Sequence, residues 1–244
     1  MSRSLPRLAP AATDAALQRL WAALHGADPF PGVPAEAWKA MGFQGASPLT
    51  DVRGAGAYGL DLLVRTVEGC SRLRPAALAS DAEYPFCAAA LDVAFMVFAA
   101  LKLLPHPPAF CPALGTAISA PDAAEREDLQ GFAALAAAGS PDAVLLAAVQ
   151  ATMTAVETAW GGLKATLSSG AGVPGAPAGA PAGDASMAIL HFKHVLQGAR
   201  AALLAALAER PPTVAQLAAG VDKHIAASAG PGELTPLPSQ GAAR

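Results

Sequence analysis

A chain of 244 residues that is 53% hydrophobic and 14% charged, with formal net charge −3, has enough apolar surface for one substantial core and too many apolar groups for wholesale disorder. The near-neutral balance, without runs of lysine or arginine, lacks the basic footprint that nucleic-acid binding requires and excludes that class of partner. Alanine fills roughly a quarter of the sequence, against an ordinary share below about a tenth; it favours helices but contributes little transfer free energy on burial, so an all-α fold anchored by few large side chains is expected.

In chain order, residues 1–10 are short, basic and without the long apolar core of a secretory signal, and are expected to be a flexible tail. Leu17, Leu20, Trp21 and Leu24 fall at the spacing of one helical face. Residues 26–34 carry three prolines and two glycines, too many for a helix. Leu60, Leu63, Val64 and Val67 repeat the helical spacing. Residues 86–104 approach the roughly 20 residues that span a bilayer, but Asp92 sits near their middle. An acid there costs about 2.5–3.5 kcal/mol even on lenient insertion scales, so this run is expected to be a buried central helix and no transmembrane segment is assigned. Residues 105–121 read as a proline-broken connection. Ser140-Pro141 offers a helix start, and Val149, Met153, Val156, Trp160, Leu163 and Leu167 draw one long stripe after it. Residues 170–183, rich in glycine, proline and alanine, read as a flexible insertion. The helices on either side each carry one apolar stripe, the second through Ile189, Phe192, Leu196, Leu203 and Leu207, so they should pack together. Thr213 and Gln216 form a capping box for a last helix, and residues 230–244 are a second tail. No stretch alternates with a period of two, so no strand is expected. The outcome is one compact multi-helix domain over residues 11–229, with an ordered glycine-rich loop. The three cysteines, Cys70, Cys87 and Cys111, are too far apart for a zinc knuckle or a redox pair, and point to reduced thiols in the cytoplasm.

One stretch departs from the alanine-rich background. Between Trp38 and Leu60, glycines stand at 42, 45, 54, 56 and 59. Glycine where alanine was available suggests positive φ or close backbone approach. Trp38 and Phe43 can pin this loop to the core. Thr50 and Asp51 can hydrogen-bond local amides, and Arg53 is presented just before a helix.

The order Trp38, Gly42-Phe43-Gln44, Pro48, Thr50-Asp51, Arg53-Gly54, Gly56 and a leucine-rich helix resembles the ELMO domain. The likeness continues in register through the opening Trp21 helix, Tyr84-Pro85-Phe86, the Trp160 helix, and Met187 with Phe192, Val195 and Leu196. It extends over residues 11–209. The resemblance implies either of two functions. Stand-alone members are GTPase-activating proteins for Arf and Arf-like GTPases, whereas larger ELMO scaffolds join armadillo-like and PH regions and assist DOCK-type exchange factors in activating Rac. A chain of this length is expected to be a stand-alone member, and Arg53 stands where the activating branch carries its arginine. The alternative is a non-catalytic module that binds a small GTPase or a DOCK-type exchange factor. The implied partner is a GTP-bound Arf-family GTPase, and the implied location is cytoplasmic with peripheral recruitment to membranes. Four positions depart from the family pattern: Asp92 and Leu62 where asparagine is common, Ser47 in place of aspartate and Val52 in place of phenylalanine.

The chemistry is intelligible without the resemblance. GTP hydrolysis builds charge on the transferring phosphoryl group, and an inserted guanidinium can accelerate it by about 10³–10⁵. Arginine suits the task because it stays charged and offers a planar fork of donors. The competing reading is that Arg53 pairs internally with Asp51, Asp61 or Asp92 and ties the loop down. Gly54, Gly56 and Gly59 also match the spacing of a dinucleotide fingerprint, but no buried strand precedes them. His191 and His194 lie three apart on a helix without a further ligand nearby, and read as solvated. No cofactor or metal of its own is expected.

Overall fold

The computed structural model describes residues 10–52, 56–79, 84–101, 110–111, 116–117, 123–168 and 192–228. Arg53, Gly54, the insertion at 170–183, the expected tails up to residue 9 and from 230, and Met187, Ile189 and His191 lie outside the described residues. Among the described residues, nine α-helices carry the fold: α1 (Pro10–His25), α2 (Ala37–Ala40), α3 (Gly56–Gly69), α4 (Arg74–Leu78), α5 (Phe86–Ala100), α6 (Ala123–Ala138), α7 (Pro141–Ser168), α8 (Phe192–Ala208) and α9 (Val214–Ser228). The all-α expectation is met, with one correction. Within the connection expected to be irregular, Phe110–Cys111 (β1) pairs antiparallel with Thr116–Ala117 (β2). Ladders this short carry no period of two long enough to read.

The large apolar side chains end where their spacing places them. Leu17, Leu20, Trp21 and Leu24 of α1, and Leu60, Leu63, Val64 and Val67 of α3, are buried in a single core. Leu62 is buried as well, because α3 packs against α1, α5 and α7 together. Helix α5 is buried around nearly its whole circumference, which is what its uniform apolarity requires of a central helix. Helix α7 is long and apolar enough to cross a bilayer by length and composition, but 56% of its most apolar window is buried inside the protein. Val149, Met153, Val156 and Trp160 form that buried stripe. Helices α7 and α8 do pack together, and α9 covers both.

One local signal acts as expected and a second in one half only. Pro141 opens α7, and the Val144 amide donates to the Ser140 carbonyl (3.0 Å). At α9 the Gln216 amide donates to Thr213 Oγ1 (3.2 Å). The reciprocal half of that box differs: Thr213 Oγ1 bonds Gln216 Oε1 (3.1 Å), so the two side chains meet each other. Thr213→Ala should cost about 1 kcal/mol in a urea melt, the usual loss for an N-cap.

Candidate functional site

The segment from Gly26 to Val52 is irregular apart from α2 and a 3₁₀ turn at Pro48–Thr50, and it is organised around Trp38. That ring is fully buried. It meets Trp21, Phe30 and Phe43 edge-on at centroid distances of 5.6, 5.8 and 5.9 Å. Its Nε1 donates to the Gly32 carbonyl (2.8 Å), which satisfies the one polar atom that burial would otherwise orphan. One large aromatic residue thus ties α1 to both arms of the loop.

Gly42 explains why the Gly-Phe-Gln triplet begins with glycine. Its φ is +84°, and a Cβ there would lie 2.4 Å from Phe86 N and 2.6 Å from Pro85 C. The close approach lets the Cys87 amide donate to the Met41 carbonyl (3.2 Å) and the Ala88 amide to the Gly42 carbonyl (3.1 Å). Both amides belong to the first turn of α5, where no intrahelical acceptor exists. The loop therefore caps the central helix, with Phe43 buried beside the contact.

Beyond Phe43 the loop is closed by Asp51. The Gln44 amide donates to Asp51 Oδ2 (2.7 Å), and Thr50 Oγ1 donates to the Ser47 carbonyl (2.9 Å) and lies 3.2 Å from Asp51 Oδ1. Gln44 contributes its backbone, and its side chain is exposed. Pro48 is buried and Val52 reaches the core. Gly56, at φ +61°, starts α3, its amide donating to the Val52 carbonyl (2.7 Å). This helix follows a 3₁₀ turn, so the glycine spacing of 54, 56 and 59 marks no dinucleotide fold. Of the residues expected to build the site, Trp38, Gly42, Phe43, Gln44, Pro48, Thr50 and Asp51 all belong to this one segment, Gly56 opens α3, and Arg53 and Gly54 lie outside the described residues.

Two of the acids available as internal partners for Arg53 have other neighbours. Asp61 lies 3.3 Å from Arg65 Nη1 and 3.6 Å from Arg19 Nη1, and Asp51 accepts from the loop itself. Asp92, on α5, is half-buried and close enough to Asp51 to feel its charge. Burial first, and the Asp51 carboxylate second, push its carboxyl up to about 6. The same two causes push the Cys87 thiol up, and among the described residues Cys70 and Cys87 are free thiols.

The raised Asp92 carboxyl makes stability depend on pH. Between about pH 4 and 6 the folded chain holds a proton on Asp92 that the unfolded chain has released, so this group's contribution to stability is fully present below that window and is lost as pH rises through 6. Asp92→Asn should therefore stabilise the protein by about 2–3 kcal/mol at pH 7.5. The difference from the parent should shrink steadily between pH 6 and 4. Urea melts of both proteins across that range check it, and a difference independent of pH would mean that neither burial nor Asp51 acts on this carboxyl.

The groups that hold α3 from the other side carry no local sequence signal. Tyr58 donates its hydroxyl to Asp142 Oδ1 at the start of α7. Arg65 grips the same carboxylate with Nη1 at 2.9 Å and Nη2 at 2.7 Å. Arg19 extends the chain of charges by a second fork onto Glu68 (3.2 and 2.7 Å). The Asp142 contacts join residues 77 and 84 apart, so no spacing announces them. Tyr84 is a similar junction. It stacks on Phe192 (5.0 Å), meets Trp160 edge-on (5.6 Å), and donates its hydroxyl to Glu157. The Tyr-Pro-Phe element and the aromatic residues of α7 and α8 thus form one cluster.

The family model described as ELMO/CED-12 matches residues 10–131, which include the Trp38 loop and the helix it caps. A relative, ELMO domain-containing protein C from Dictyostelium discoideum, is 31% identical over 87 residues, which are 36% of this chain and 14% of that protein. The match therefore spans only a small part of that relative's length. No solved structure matches the chain.

Proposed function

This chain belongs to the ELMO/CED-12 family, and from that premise we propose that it is a GTPase-activating protein for GTP-bound small GTPases of the Arf and Arf-like class, inserting Arg53 into the partner's nucleotide site. The partner supplies nucleotide, magnesium and the group that orients water; this chain supplies a guanidinium. The single observation that supports the reading most is the anchoring of the loop before Arg53. Trp38 and Gly42 fasten it to α1 and α5, and Asp51 closes it. A loop ordered before encounter loses less entropy on insertion, so more of the binding energy is left for the transition state. Recruitment from the cytoplasm to membranes would follow from the GTPase it meets.

The test is single-turnover hydrolysis by a panel of GTP-loaded Arf-family GTPases, with and without this protein. Acceleration of at least about a hundredfold for one member is expected, below the full range of an arginine finger. GTP-dependent binding without any acceleration would overturn the catalytic reading and leave a non-catalytic docking module.

A further inference from the structure

The loop that precedes Arg53 is fastened at its entry by Gly42 on α5. Its last described residue, Val52, accepts from the Gly56 amide at the start of α3 (2.7 Å), and Tyr58 in the first turn of that helix carries a long-range tether. The Tyr58 ring stacks on Phe98 of α5 with a centroid distance of 5.7 Å and an interplanar angle of 14°, and its hydroxyl donates to Asp142. Asp142 is in the first turn of α7, where the helix dipole favours a carboxylate. It is also held, separately from Tyr58, by the Arg65 fork. The acceptor is therefore fixed whether or not the tyrosine hydroxyl is present.

We propose that Tyr58 and Asp142 are positioning residues: together they clamp the first turn of α3 to α7 and, through the Gly56–Val52 bond, hold the end of the loop that precedes Arg53. The clamp on the loop stands by itself; only its effect on rate rests on the reading of Arg53 as an inserted arginine. The chemistry supports a clamp that works across the neutral range. Arg65 first, and Tyr58 second, hold the Asp142 carboxyl below its usual range. Burial, and then Asp142, push the Tyr58 hydroxyl up. The donor keeps its proton and the acceptor its charge.

Tyr58→Phe tests this, because it keeps the ring on Phe98 and the Arg65–Asp142 fork while removing one hydroxyl. Amide hydrogen exchange over residues 43–57 should rise about threefold to tenfold, and the maximal stimulated hydrolysis rate should fall several-fold with the half-saturating concentration unchanged. Thr213→Ala, remote at the α9 cap, controls for a general loss of stability and should leave the loop's exchange alone. Unchanged exchange in Tyr58→Phe, or a rise equal to that in Thr213→Ala, overturns the clamp. A wild-type maximal rate in the variant overturns its role in positioning Arg53. Faster loop exchange in a protein whose parent accelerates no GTPase supports the clamp and removes the arginine reading instead.

Discussion

Arg53→Lys should lower the maximal stimulated rate of GTP hydrolysis by at least about a hundredfold, with little change in the helical signal or the melting midpoint. Lysine preserves the charge but replaces a planar fork of donors with a single flexible ammonium, which cannot bridge two oxygens of the transferring group in one fixed geometry. The interaction being removed is made in the transition state, so the loss belongs in the maximal rate and not in the concentration that half-saturates it. Single-turnover measurements over a range of protein concentrations separate the two. If Arg53→Lys stimulates as well as the parent, the arginine acts on nothing in the partner's site and the finger role is lost. If the loss appears only in half-saturation, the residue contributes docking instead.

Gly42→Ala should destabilise the fold by more than about 3 kcal/mol, through two additive causes. A non-glycine residue in the left-handed region costs about 1–2 kcal/mol by itself. The added Cβ would also stand 2.4 Å from Phe86 N and 2.7 Å from Pro85 Cα. Those are backbone atoms at the head of the central helix and cannot rotate aside. Relief requires moving the loop off α5, which would break the Cys87 and Ala88 amide bonds to Met41 and Gly42 and leave two helix-end donors without acceptors. Gly26 is the matched control. It also has positive φ, +65°, but a Cβ there meets nothing within 4 Å, so Gly26→Ala should show only the dihedral cost. Urea melts of the two variants separate steric contact from conformational preference; equal losses would mean that the approach to α5 carries no weight.

The helices and the loop were legible for different reasons. The stripes of α1, α3, α7 and α8 follow from spacing alone, since a helix repeats its face every three or four residues and must cover the apolar one. Leu17, Trp21, Leu60, Val156 and Leu203 are all buried as that spacing requires. The glycine at 42 was legible as a backbone exception, but its reason was not: the atoms that forbid a Cβ belong to Pro85 and Phe86, far along the chain. The β1–β2 ladder has no signal of this kind, because two residues on each side hold no pattern. Asp92 was legible only as a charge within an apolar run; that it feels Asp51 depends on how α5 packs under the loop.

What the residues determined by themselves was whatever is written within a few turns of chain: helical type, the positions of caps, the aromatic anchors and the arginine beside its glycines. What only the tertiary structure decided was which distant groups meet. Tyr58 and Arg65 converge on Asp142, and Tyr84 meets Trp160 and Phe192, because packed helices bring together side chains whose separation along the chain places no constraint on their types. Local periodicity encodes a buried face, and only the packing of that face against another helix selects the polar partners at its edge.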